Sequence, residues 1–322
     1  MWEKRTPSQN TRKTHHKPIN YKLVGDMVIA SPPDCCSLFS NDEHMAFIEF
    51  IDTLKSQAVK HPKILIDFNE CSDVKACCLV ILYSAIQQCR DINSNIIIII
   101  QDFGAPRSVR DNIIKCGLKS ACSASQEEVS FRTVKTLPIQ TNFTAEVDDI
   151  VDYVQYSVFK GTLNEQQENT LSNAVEEAII NVSHHAFESS EDSRWWVITE
   201  LIGENQLYLA IYDNGVGIPK RAPKTKWIVD AVKEQGISFF FEGASDEKLI
   251  NLSMGLSRSR TGHSERGLGS ISIKELVKSN PHGQLYIFSG KGMYNLNSAS
   301  KVTLEKYTRS MPGTLVQWNI QI

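Results

Sequence analysis

The sequence contains no apolar run long enough to cross a bilayer; the longest, "NIIIII" at 95–100, suits a buried strand. The N-terminus lacks the apolar stretch of a secretory leader. A basic excess is also missing: 34 Lys and Arg stand against 37 Asp and Glu, and the formal charge of −3 argues against bulk nucleic-acid binding. No C-x-x-C pair occurs among the cysteines at 35, 36, 71, 77, 78, 89, 116 and 122, so metal-ligand spacing is absent. Adjacent cysteines bridge poorly, and these read as small buried residues of a reducing cytosol rather than a disulfide frame. No internal repeat is visible.

What is present is material for two cores: 322 residues, 41% hydrophobic and 22% charged. Residues 1–17 are basic and polar and read as a solvated, disordered tail, or else as an arm for an acidic partner. The first half then alternates strands and helices. "MVIASP" is a short strand, 42–61 has helical periodicity, and "KILIDFNEC" (63–71) is an apolar strand. A broad apolar helix spans 73–92, a strand spans 95–104, and a helix over 106–118 is closed by Gly117. This alternation predicts an α/β domain with a parallel or mixed sheet covered by helices.

The strand "ILIDFNEC" followed by helix "DVKACCLVIL", strand and helix is similar to STAS domains, the fold of anti-sigma-factor antagonists. Phosphorylated members carry a serine pair at the start of that helix, where this chain has Ala76 and Cys77. The resemblance therefore implies a docking or sensing module over 18–128, not a phospho-acceptor. The polar stretch 123–142 carries the expected boundary, and 129–322 forms the second domain.

In the second half, helices at 145–159 and 164–187 precede two strands, 194–202 and 206–214, joined by a turn at Gly203-Glu204-Asn205. A long irregular stretch, helix 270–279 and strands "QLYIFSG" and "TLVQWNI" follow. Four segments within this half carry chemistry. "EEAIINVSHHAF" places Glu177, Asn181 and His185 on one helical stripe, since residues four apart lie about 40° apart around the axis. Glu176 lies about 100° from Glu177 and reads as solvated. "YDNGVGIPK" ends a strand at Asp213, and Gly215 and Gly217 let the backbone approach a ligand. "SERGLGSISIKELV" sets Gly267 and Gly269 before an amphipathic helix, an anion cradle of free N–H groups. "MPGTLVQWNI" starts a strand at Gly313-Thr314.

In this order the four segments resemble the Bergerat-fold (GHKL, histidine kinase-like) ATPases, and "EEAIINVSHHAF" is especially similar to the first motif of anti-sigma-factor serine kinases. The resemblance implies an α+β sandwich, a mixed sheet with helices on one face. It also implies ATP and Mg²⁺ as cofactors and a role for each residue. Asn181 would ligate Mg²⁺, and Glu177 would act as the catalytic base. Asp213 would accept from the adenine amino group, with Thr314 in support. Gly215 and Gly217 would let the base pack close. Gly267, Leu268 and Gly269 would present N–H groups to the phosphates. Arg266 would reach a phosphate or meet solvent, and His185 would sit near the nucleotide or serve as a satisfied structural histidine. The stretch from Pro219 to Gly267 would be a lid, with Lys220, Arg221, Lys224, Arg258 and Arg260 supplying positive charge. Three functions stay open: an ATPase that signals by lid closure, a serine/threonine protein kinase, and a non-hydrolysing ATP-binding module. Each implies a protein partner, and a homodimer is possible; neither membrane nor nucleic acid is expected as partner.

Overall fold

The computed structural model describes residues 21–122, 135–138, 144–182, 194–202, 206–234, 236, 243–256 and 269–321. In the first half, β1 (Tyr21–Val24) and β2 (Met27–Ala30) form a hairpin turned by Gly25 at φ +62°. A two-residue strand, β3 (Cys35–Cys36), leads to helix α1 (Asn41–Ala58). The Ser40 hydroxyl accepts from the Glu43 N–H at 3.3 Å, and Asp42 and Glu43 complement the positive end of the helix dipole. Strand β4 (Lys63–Asp67), a short β5 (Asp73–Val74) paired with β3, and helix α2 (Ala76–Ile92) come next. Strand β6 (Ile97–Gln101) then precedes α3 (Arg107–Lys115) and α4 (Leu118–Ala121), separated by Gly117 at φ +67°.

The main sheet of this half runs β1-β2-β4-β6, with β2, β4 and β6 parallel. Its strands alternate Val28, Ala30, Ile64, Ile66 and Ile98 into the core. Among the described residues the opposite face is less covered. Ile97 and Ile99 are 49% and 46% exposed there, so the expected buried strand at 95–100 is a half-exposed edge strand. An apolar run alone does not say how many faces of a sheet are covered.

The second half builds a five-stranded sheet in the order β10-β11-β9-β8-β7. Its strands are β7 (Lys135–Pro138), β8 (Arg194–Ile202), β9 (Gln206–Asp213), β10 (Gln284–Asn297) and β11 (Val302–Gln321). Every adjacent pair is antiparallel, so among the described residues the sheet is not mixed as expected. Strand β7 arises inside the stretch read as a polar boundary. An edge strand is paired on one side only and so tolerates polar residues and a terminal proline.

Helices α5 (Thr144–Asp152), continued by a π-type turn Tyr153–Val158, and α6 (Glu165–Asn181) pack on one face of this sheet. A capping box between Asn164 and Gln167 starts α6. Helices α7 (Ile218–Arg221), α8 (Lys226–Glu234), α9 (Asp246–Gly255) and α10 (Gly269–Lys278) complete the set.

Period-two alternation assigns each side chain of the central strands to a face. Trp195, Val197, Leu209, Ile211 and Trp318 join the core with α5, α6 and α10. Trp196, Ile198, Tyr208, Tyr212 and Leu315 join a second core with α1 and α2 of the first half. The second half's own helices α5, α6, α9 and α10 therefore lie on one face, as expected, and helices of the first half cover the other. Residues 77–86 of α2 are all buried, as a helix apolar on nearly every side must be.

Polar contacts stitch the halves together. The Tyr307 hydroxyl donates to the Leu38 carbonyl at 2.7 Å, and Arg309 pairs with Asp52 at 2.7 Å. Lys115 meets Glu200 at 3.5 Å, and Arg194 pairs with Asp91. His44 of α1 is fully buried against the Tyr307 ring, with centroids 4.2 Å apart. Neither of its ring nitrogens has a hydrogen-bond partner among the described residues. Burial and nearby Arg309 push its pKa down to about 4.

The stretch expected as a lid carries two helices, α8 and α9, as its sequence halves imply. Ile250 of α9 is fully buried in the sheet core, and Ala222, Ile228, Val232 and Leu256 form a small cluster of their own. Asp246, at the start of α9, accepts the Lys291 N–H at 2.6 Å. A Cβ at Gly292 would stand 2.4 Å from the Glu247 nitrogen, so that glycine admits the helix end. Residues 257–268, with Arg258 and Arg260, lie outside the described residues.

Candidate functional site

The register of three strands sets a polar row. Asp213 ends β9 opposite Thr314 of β11, and Thr314 stands opposite Ser289 of β10. By alternation all three face α6, while their neighbours Tyr212, Leu315 and Phe288 face the first half. Asp213 is 4% exposed. One of its carboxylate oxygens accepts the Gly215 N–H at 2.8 Å, an Asx-type turn that bends the chain directly after the strand. Burial raises its pKa to about 7 despite the Gly215 and Thr314 backbone N–H groups, which favour the ionised form.

Gly217 holds φ +83°, and a Cβ there would lie 2.8 Å from the Ser289 oxygen and 3.1 Å from the Gly313 carbonyl. Gly313 is tighter still: at φ +70° a Cβ would fall 1.8 Å from the Asp213 carbonyl oxygen. Only glycine fits at either point.

Ser289, which sequence reasoning missed, ties these pieces together. Its fully buried hydroxyl accepts the Ile218 N–H at 2.9 Å and donates to the Gly313 carbonyl at 3.0 Å. With its one proton committed, the 3.1 Å contact to Thr314 is donated by the threonine. A serine in an apolar strand carries no sequence signal; the register alone reveals it.

The second group lies on α6. The Asn181 amide donates to Glu177 Oε1 at 3.2 Å. A carboxylate only accepts, so the asparagine turns its NH₂ toward it and its carbonyl oxygen takes no part in that bond. Burial raises the Glu177 pKa, opposed by the Asn181 bond and helped by Glu176. Glu176 is exposed, and Leu171, Val175, Ala178, Ile179 and Val182 are buried, so the stripe lies at the margin of the apolar face.

Which end of the sheet does this pair occupy? A cavity of about 200 Å³ is lined by Asn164 and Thr170 of the α6 start, Leu276 and Asn280 near the α10 end, and Leu207 and Ile320. Leu207 and Ile320 pair at the opposite end of β9 and β11 from Asp213 and Thr314. Helix α6 therefore starts at that far end. Its run from Thr170 to Asn181 covers about 17 Å at 1.5 Å per residue. Strand β9 covers about 20 Å from Leu207 to Asp213. Asn181, the last residue of α6, thus approaches the end of the sheet that carries the polar row, with Glu177 one turn short of it, and Gly269 at the start of α10 points to the same end. No hydrogen bond joins the Glu177–Asn181 pair to the Asp213 group among the described residues. His185, Arg266, Gly267 and Leu268 lie outside them.

The buried atoms Trp195 Nε1, Asn214 Oδ1 and Ser270 Oγ have no hydrogen-bond partner among the described residues. Trp195 stands opposite Asp213 in register, Asn214 follows it, and Ser270 is the second residue of α10. Donors and acceptors left idle at one end of the sheet suit a polar ligand. No group of three or more metal-ligating side chains occurs among the described residues. Magnesium does not need one: a single carboxamide oxygen suffices when phosphates and water supply the rest. The residues present therefore fit a magnesium nucleotide.

No protein-family model matches the chain, and no curated protein matches it. Among solved structures, a mycobacterial sensor histidine kinase, MprB, is matched at 15% identity and a TM-score of 0.27, over 58% of this chain and 97% of that one. The histidine kinase domain of the Erythrobacter litoralis EL346 blue-light activated histidine kinase is matched at 13% identity and a TM-score of 0.28, over 84% and 91%. Scores that low do not establish a common fold.

Proposed function

We propose that the chain is a cytosolic Mg-ATP-binding protein of the GHKL type that hydrolyses ATP and signals its nucleotide state to a protein partner. The reading is supported by a buried aspartate set beside two glycines with no room for a Cβ, on a sheet whose α6-covered face meets a helix that carries a Glu–Asn pair one turn apart. Among the described residues no helix is long and apolar enough to cross a membrane.

In this reading Asp213, ionised, accepts a hydrogen bond from the exocyclic amine of the base. Gly217 and Gly313 let the turn after β9 and the β11 backbone close against Ser289 and Asp213, which shapes the wall on which the base would lie. The Asn181 carbonyl oxygen would hold Mg²⁺, which when bound neutralises phosphate charge. Glu177 takes a proton from the attacking water at its free carboxylate oxygen, while Asn181 keeps the other oxygen oriented. Its raised pKa makes it the stronger base. The backbone at Gly269 opens a helix whose N-terminal dipole favours the phosphates.

Calorimetry of the full chain with Mg-ATP tests the binding, and the fate of labelled ATP tests the chemistry. Heat with a micromolar midpoint and release of free phosphate are expected. No heat with millimolar nucleotide would refute the pocket. Label transferred to a protein in cell extract would replace hydrolysis by kinase activity.

A further inference from the structure

Strand β11 breaks its ladder beside the polar row. Met311 pairs with Gly290 and Thr314 with Ser289, so Pro312 and Gly313 bulge out of register between them. Proline has no N–H to give, and the two bulged carbonyls have lost their places in the ladder. Side chains from opposite faces of the sheet serve them instead. Ser289 donates to the Gly313 carbonyl from the α6 face. Tyr212 donates to the Pro312 carbonyl at 3.2 Å from the other face. The bulge lies against Asp213 itself, since a Cβ on Gly313 would overlap the Asp213 carbonyl. Its last member, Thr314, gives its N–H to the Asp213 carboxylate.

Tyr212 does not stand alone. Its ring, 1% exposed, stacks on Trp196 directly across the β8–β9 ladder, with centroids 5.6 Å apart and planes at 30°. The Trp196 indole N–H donates to the Gln87 carbonyl oxygen of α2 at 2.7 Å. From α2 to the pocket wall the path is thus one hydrogen bond, one ring stack and a second hydrogen bond, all within or bordering one apolar core.

Resting on the nucleotide reading of this site, we infer that Tyr212 is a positioning residue that sets the Pro312–Gly313 bulge around Asp213, and that helix α2 of the first half controls it through Gln87 and Trp196. The first half then regulates affinity for the base from behind the sheet. It touches neither the nucleotide nor the catalytic carboxylate.

The test is a double-mutant cycle in the full chain, with Tyr212→Phe, Gln87→Leu and the pair. Affinity for Mg-ATP is read by calorimetry, with turnover at saturating ATP and the melting temperature alongside. Tyr212→Phe is expected to weaken ATP binding about fivefold, the size of one net hydrogen bond. Turnover at saturation stays within twofold, because Glu177 lies on another element. Gln87→Leu weakens binding two- to threefold alone and adds nothing in the Tyr212→Phe background. A merely structural tyrosine would lower the melting temperature without this split. Unchanged affinity in Tyr212→Phe, or multiplicative losses in the pair, would overturn the inference while wild-type binding leaves the pocket standing. Absence of wild-type binding would instead remove the nucleotide reading, and the inference with it. If Tyr212→Phe does not fold, Gln87→Leu alone decides, and an unchanged affinity there refutes the link.

Discussion

The two faces of the five-stranded sheet are made from the same three strands and do different work. Toward α6 the strand ends present Asp213, Thr314 and Ser289, with a carboxylate and two hydroxyls buried or nearly so. One residue earlier on β9, one later on β11 and one earlier on β10, Tyr212, Leu315 and Phe288 turn the other way into the core shared with α1 and α2. The lesson lies in the one-residue step. In a strand a shift of one position exchanges the faces, so the polar row and its apolar backing cannot be altered independently.

The largest expected effect falls on the α6 side. Glu177→Ala should leave nucleotide binding intact and slow hydrolysis about a hundredfold or more, as loss of a general base does. A steady-state phosphate assay reads it, and normal turnover would move the base to another group. Asp213→Asn should weaken ATP binding by about 2–3 kcal/mol, the range for a hydrogen bond to a charged partner. In the wild type a buried carboxylate with a pKa of about 7 accepts from the base more strongly when ionised. Affinity should therefore rise as pH increases from 6 to 8, and Asp213→Asn should abolish that slope. The sign reverses for the nucleotide-free fold. A folded-state pKa above the unfolded value costs stability as pH climbs from about 4 to 7, so Asp213→Asn should melt no lower than wild type at pH 8.

On the other face, the effect expected at α1 falls on stability alone. His44 has its pKa lowered to about 4 by burial and by Arg309. Its contribution is intact above about 6.5 and is lost as pH falls toward 4, because the unfolded chain takes up the proton first. His44→Phe should remove about 2 kcal/mol of acid destabilisation at pH 5, read by urea unfolding, with ATP affinity at pH 7.5 unchanged. A change in affinity there would show that α1, and not only α2, reaches the pocket.

The parts of the site that could be read from residues are those whose chemistry is local. An aspartate ending a strand before Gly215 and Gly217 is a short-range backbone requirement, and the structure brings these three together with Gly313 and Thr314, which lie at a bulge within β11 and not at the expected strand start. The Glu177–Asn181 bond follows from helical spacing in the same way. Ser289 was not legible, because a serine within "QLYIFSG" acquires its meaning only from the register with Thr314. Strand β7 was missed, because pairing with β8 rather than its own composition makes it a strand. Helix α9 was read as part of a lid, yet Ile250 is buried in the core; amphipathicity does not say against what a helix docks.

By itself the sequence determined the alternation of elements and the glycines, capping residues and carboxylates at their ends, since dihedral freedom, helical period and hydrogen-bonding capacity belong to the residues themselves. Only the tertiary structure decided that β6 is half exposed on one face, that α1 and α2 cover the back of the second sheet, and that Tyr212 bonds the Pro312 carbonyl behind Asp213. Those outcomes depend on which apolar surfaces meet, and apolar burial is non-directional: it rewards any close-packed cover, so the choice among covers is made by the whole chain at once.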